Sequence, residues 1–165
     1  MDPAYDDLKP GLYKLCLSLY AIYFLSMVMQ LAPQTMALGS ISMIIGIILV
    51  YAQRRKAKGT IFESHFHWLY RTFWIAGGVY LPLTTIIGAG VMFSYVDMAS
   101  MNTAIEAGSD METLKKVFME QNETLIWVSA VISVLPVAIW WFWRCYKGYT
   151  HLKFSEPVSD VMSWL

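Results

Sequence analysis

Four stretches of this chain, residues 15–32, 36–52, 72–96 and 124–143, contain no Asp, Glu, Lys, Arg or His. Each is near the roughly 17 to 25 apolar residues that a bilayer-spanning helix needs. One such stretch could be the buried core helix of a water-soluble domain, but four in 165 residues leave too little polar surface to cover them. Composition agrees: 57% of the residues are hydrophobic, 15% are charged, and mean hydropathy is +0.47. In lipid every backbone amide must find its partner inside the segment, so spans this short are predicted to be helices. The expected fold is an all-α membrane protein, one integral membrane domain over 1–165 with four transmembrane helices.

The connections between the spans set an orientation. Two lysines precede the first span, five Lys or Arg lie between the second and third (Arg54, Arg55, Lys56, Lys58, Arg71), and three follow the fourth. The connection over 97–123 has two lysines against six acidic residues. Ten of twelve basic residues therefore fall on one side, and the positive-inside rule makes that side cytoplasmic, with both termini there. The net charge of zero conceals this asymmetry. Asp2, Asp6 and Asp7 stand where a signal peptide would carry its basic cluster, so the first helix is expected to stay uncleaved. Cys16 and Cys145 come out near the cytoplasmic face, where a reducing compartment disfavours a disulfide; both are expected to be buried as small apolar side chains.

The second connection can be read in more detail. Thr60-Ile61-Phe62-Glu63 has the spacing of a capping box, in which the Thr60 hydroxyl takes the Glu63 amide and the Glu63 carboxylate reaches back to residue 60. From that start Phe62, Phe66, Leu69 and Phe73 share one helical face and Glu63, His67 and Arg71 another. The segment 61–71 is thus predicted to be an amphipathic helix on the cytoplasmic interface, with Trp68 and Trp74 at headgroup depth; helical spacing equally allows a plain extension of the third span. A second capping box, Ser109-Asp110-Met111-Glu112, predicts a short surface helix over 110–122 in the outer loop. Arg-x-x-Lys-Gly occurs at 55–59 and again at 144–148, after the second and fourth spans. Duplication would explain the repeat, but helix-end chemistry is sufficient, with cations at the negative end of the dipole and glycine in the left-handed position beyond it. Anionic headgroups are the expected contacts of Arg54, Arg55, Lys58, Arg144 and Lys147.

Within the spans, Ser42 with Gly46 and Thr84 with Gly88 are small residues four apart that permit close helix approach. Pro82 and Pro136 are expected at similar depth, each bending its helix, with Thr84 and Thr85 taking up freed carbonyls. Ion-coupled carriers and proton relays place ionisable groups inside spans, and these four stretches have none. No nucleophile elbow, phosphate loop or paired intramembrane carboxylates are present, so no enzymatic activity is expected. His65, His67, His151, Cys16 and Cys145 gather on the cytoplasmic side, but His65 and His67 are two apart on a helix and diverge, so neither a metal nor a cofactor is expected.

Glu63-Ser64-His65-Phe66 with Trp68, followed by Arg71-Thr72-Phe73-Trp74-Ile75, resembles a broad family of small bacterial inner-membrane proteins of unknown function. Arg144-Cys145-Tyr146-Lys147-Gly148 with Pro157 looks like that family's ending, and the family is similar in organisation to the four-helix component of the chloroplast inner-envelope import machinery. The sequence departs from the pattern at His67, where Arg is usual, and at Leu69-Tyr70. The resemblance implies four helices in a bacterial inner membrane and supplies no catalytic residues.

The function expected is therefore that of an accessory, assembly or scaffolding component of a larger membrane complex. Its partners would be membrane lipids and other membrane-protein subunits or further copies of itself, with no nucleic acid. The docking residues would be Glu63, His65, His67, Trp68, Arg71 and Trp74. The alternative is a conduit for a small solute or polypeptide lined by Pro82, Thr84, Thr85 and Pro136.

Overall fold

The structure is a computed structural model that describes residues 10–32 and 34–159. Among the described residues it is all-helical, with no strand: α1 Pro10–Gln30, α2 Met36–Arg54, α3 Ile61–Ile75, a π-helical turn Ala76–Tyr80, α4 Leu81–Tyr95, α5 Ala99–Glu106, α6 Met111–Gln121 and α7 Glu123–Lys153. Four helical runs are long and apolar enough to cross a membrane: Gly11–Gln30, Met36–Arg54, Ile61–Tyr95 and Glu123–Lys153. The chain is thus a multi-pass membrane protein by the length and composition of its helices. It divides into two compact units, one made of the residues up to 79 with those from 138 onward, the other of residues 80–137.

Two of the four spans outrun their expected bounds. The third is one uninterrupted helical run from Ile61, so 61–71 is continuous with the rest of that span instead of being set off by a break. The fourth continues ten residues past Trp143 to Lys153. At 31 residues it is roughly 46 Å long, well beyond a hydrocarbon core of about 30 Å.

In the first unit α1 and α2 form a hairpin whose contact is set by small residues. A side chain at Gly39 would lie 2.7 Å from the Ser26 carbonyl oxygen, and one at Gly46 would lie 2.9 Å from the Tyr23 ring. Gly39, Gly46 and Val50 make the buried stripe of α2, while Ile41, Ile44, Ile45 and Ile48 are exposed. That inversion, small residues inside and branched aliphatics outside, is what lipid as solvent favours. The residues of α7 in this unit run antiparallel to α1: Tyr23 stacks on Trp141 at 5.3 Å, Phe24 packs on Phe142 at 4.8 Å, and Trp141 Nε1 donates to the Tyr23 carbonyl at 3.0 Å.

The glycine at the end of α7 does something different from what helix-end chemistry predicts. Gly148 lies inside the helix, not after it, with the Tyr20 hydroxyl and Trp68 Nε1 against the place a side chain would occupy. The stop comes seven residues later. Ser155 takes a left-handed φ of 55°, Glu156 N donates to the His151 carbonyl at 2.9 Å and Ser155 N to the Leu152 carbonyl at 3.0 Å, which together form a Schellman ending. Gly59, with φ of 78°, does occupy a left-handed position before α3. The two Arg-x-x-Lys-Gly runs therefore share letters and not a role.

The capping boxes form in altered registers. Thr60 is the N-cap of α3, yet its hydroxyl donates to the Ala57 carbonyl at 2.6 Å, and the Glu63 carboxylate accepts from Gly59 N at 2.8 Å. In the second box Asp110, not Ser109, is the cap, accepting from Thr113 N at 2.9 Å. Bonding from the Thr113 side chain first, and then from its backbone N–H, holds the Asp110 carboxyl below its ordinary value.

In the second unit Thr84 donates to the Ser133 carbonyl at 2.6 Å, and Gly88 admits Ser129 and Ser133 of α7. This antiparallel pairing puts Pro82 level with Pro136, as expected. The π turn directly precedes α4, whose second residue is Pro82, where a missing N–H and a bulky ring would disturb a regular turn. Asn122, 3% exposed, closes the base of the connection over 97–123: its side chain accepts from Asp97 N at 2.8 Å and donates to the Asp97 carbonyl at 3.1 Å. The eight-residue α5 was not foreseen, having neither a capping box nor a strong apolar period; the Asp97 carboxylate accepts from Ala99 N at 2.9 Å at its start.

Candidate functional site

Two features of the first unit hold the chain's notable side chains, a buried guanidinium and an open basic pocket. Arg144, expected at lipid headgroups, is instead fully buried. Its guanidinium sits 3.5 Å over the Trp68 ring and 5.2 Å from that of Trp140, and its Nε donates to Thr72 Oγ1 at 3.0 Å. The Thr72 hydroxyl in turn donates to the Trp68 carbonyl at 2.8 Å, and Trp68 Nε1 donates to the Arg144 carbonyl at 3.0 Å. The physical reason for burial is this pairing: removing a lone cation from water is costly, and two indole faces with a hydroxyl acceptor offset the loss. Lys147 is half-buried, 5.7 Å from the Trp68 ring, and so belongs to the rim of the same cluster.

Trp68 and His65, both expected on a docking face, are likewise fully buried. His65 Nε2 lies 3.0 Å from the Glu156 carbonyl, which can only accept, so Nε2 carries the proton and Nδ1 accepts from the Tyr20 hydroxyl at 3.0 Å. One residue away, Ser64 Oγ accepts from Val158 N at 3.0 Å. His65 and Ser64 thus hold the segment after α7 against α3, and His65 also bonds α1. Cys16 and Cys145 are free and buried. Of the residues expected to dock, Trp74 is exposed and Glu63, His67 and Arg71 are half-buried.

The second feature is a pocket of about 310 Å³ lined by Tyr51, Arg54, Arg55, Lys58 and Glu63. It joins the end of α2 to the start of α3, so it draws on both the expected headgroup contacts and the expected docking residues. Arg54 Nε donates to His67 Nε2 at 3.1 Å, and its guanidinium lies 5.7 Å from the Tyr70 ring. Because Arg54 Nε can only donate, His67 Nε2 is the unprotonated ring nitrogen that accepts from it and steers Arg54. Three cations around one carboxylate make a site for an anionic group.

No family model, no curated protein and no solved structure matches this chain. The residues themselves must carry the functional reading. Sequence patterns did not reveal the Arg144 cluster, because a cation just past an apolar run reads as an interfacial one. The signal that was present lay in Trp68, Thr72 and Trp140, aromatic and hydroxyl groups whose meeting depends on how α3 and α7 pack.

Proposed function

We propose that this chain is an accessory, assembly or scaffolding subunit of a larger complex in the bacterial inner membrane, with both termini cytoplasmic. The Tyr51–Glu63 pocket is its docking site, and the occupant is an acidic side chain of another membrane-protein subunit. The observation that carries this reading is the convergence of Arg54, Arg55 and Lys58 on one open pocket, beside a buried core in which Arg144 and His65 are tied into structural bonds. The resemblance of the Glu63 to Ile75 region to the inner-membrane family supports the same setting. On this reading the chain is not an enzyme and works without a metal, a cofactor or nucleic acid. The conduit is disfavoured by the placement of its residues: Thr84 is buried on the Ser133 carbonyl, whereas Thr85 is exposed.

Crosslinking in cells followed by purification in mild detergent tests the proposal. The wild-type chain should bring down one stoichiometric membrane partner, and the Arg55→Glu, Lys58→Glu double variant should lose it while keeping its expression and unfolding temperature. A wild-type chain that repeatedly comes out alone would sink the idea.

A further inference from the structure

A groove of about 330 Å³ runs along the first unit between α1 and α7, and its lining is almost wholly apolar. Tyr20 and Cys145, both buried, form its floor, and Leu17, Ala21, Tyr146 and Tyr149 its walls. Phe24 closes one end, packed 4.8 Å from Phe142. From Leu17 to Phe24 is seven helical rises, roughly 10 Å, a length that suits part of one hydrocarbon chain.

The other end has a different character. Because Tyr23 meets Trp141 and Tyr20 meets Gly148, α1 and α7 are antiparallel, and Lys14 on α1 comes level with Lys153 on α7. Lys14 is three residues before Leu17 and Lys153 four after Tyr149, so each continues the groove-lining face of its helix by one turn. Both lysines are exposed. Glu156, three residues beyond the end of α7, lies 3.4 Å from His151 Nδ1. An apolar slot ending at two exposed ammonium groups has the charge layout of an anionic lipid, with chain in the slot and phosphate between the lysines.

We infer that this groove is a binding site for an anionic phospholipid, one acyl chain lying over Tyr20 and Cys145 and the phosphate held by Lys14 and Lys153. The site rests on the chain being a membrane protein and not on the docking role of the Tyr51–Glu63 pocket.

The test is native mass spectrometry of the purified full chain with phosphatidylglycerol or phosphatidylcholine of matched chain length. Wild type should retain phosphatidylglycerol in preference. The preference should fall roughly tenfold or more in the Lys14→Glu, Lys153→Glu variant, the scale expected when two lysines beside an anionic lipid are lost. Ala21→Trp, which fills the groove without changing charge, should lose both lipids, whereas Arg55→Glu with Lys58→Glu should retain wild-type preference. Circular dichroism and unfolding temperature establish that each variant is folded. Equal retention of the two lipids by wild type, or unchanged preference in the lysine variant, would overturn the inference. So would a lipid-free dimer that Ala21→Trp converts to monomer, since a second copy would then fill the groove.

Discussion

Arg144 is a cation that the fold uses as a packing element. Its stem and guanidinium fill space between Trp68 and Trp140, so its value is in volume and geometry as much as in charge. Arg144→Ala is expected to destabilise the protein by about 3 kcal/mol or more, through the cavity it leaves among large side chains. Arg144→Met, of similar volume, should cost clearly less, because it also removes the need to desolvate a charge. Arg144→Lys should not rescue, since an ammonium cannot lie flat on indole while bonding Thr72. Thermal unfolding in detergent ranks the three, and equal losses for Ala and Met would refute the packing account.

At the scale of the element, glycines of one helix class divide by what they touch. Gly148 is crowded by Tyr20 and Trp68, whereas Gly90 of α4 has nothing within 4 Å of the position a side chain would take. Gly148→Ala should therefore lower stability by about 1 to 3 kcal/mol through overpacking, and Gly90→Ala should be neutral or stabilising by up to about 1 kcal/mol through reduced backbone entropy. Parallel unfolding curves decide this; similar effects at both sites would mean that α7 can shift away from Tyr20. The stop of α7 gives the opposite kind of test. Ser155 adopts a left-handed conformation that costs a residue with a Cβ roughly 1 kcal/mol, so Ser155→Gly should stabilise by about that much. The Schellman ending was not legible because nothing in Ser155 announces it, whereas the glycine seven residues earlier suggested an ending that does not occur there. The shifted capping boxes have a similar cause: Asp110 outcompetes its neighbour Ser109, and the Glu63 carboxylate reaches Gly59 N one residue early.

For the whole molecule, the expected orientation is testable through its cysteines, since Cys16 and Cys145 are buried and should give little background. A membrane-impermeant thiol reagent applied to intact cells should label Lys115→Cys, and Arg55→Cys only after permeabilisation; the reverse pattern would invert the topology and move the Tyr51–Glu63 pocket to the other side. Spans were legible because lipid imposes a simple demand, apolar side chains over a sufficient length with every amide satisfied internally, and 36–52 is recovered almost to the residue in Met36–Arg54. Charge asymmetry between connections is equally local and additive, which is why orientation can be predicted without a structure. The depth at which a charge ceases to be interfacial is not local. Arg144 follows Trp143 directly and reads as the edge of a span, but α7 continues to Lys153 and two indoles from different helices enclose it. His65 and Trp68 read as surface groups for the same reason, and both became core once α1, α7 and the segment after α7 closed over α3. The sequence by itself determined the number of spans, their helical nature and the basic character of one set of connections, because each depends on the solvation of a single segment. Tertiary structure alone decided which polar groups stay open to the surface and which are sealed inside, because that depends on what residues far apart in the chain place around them.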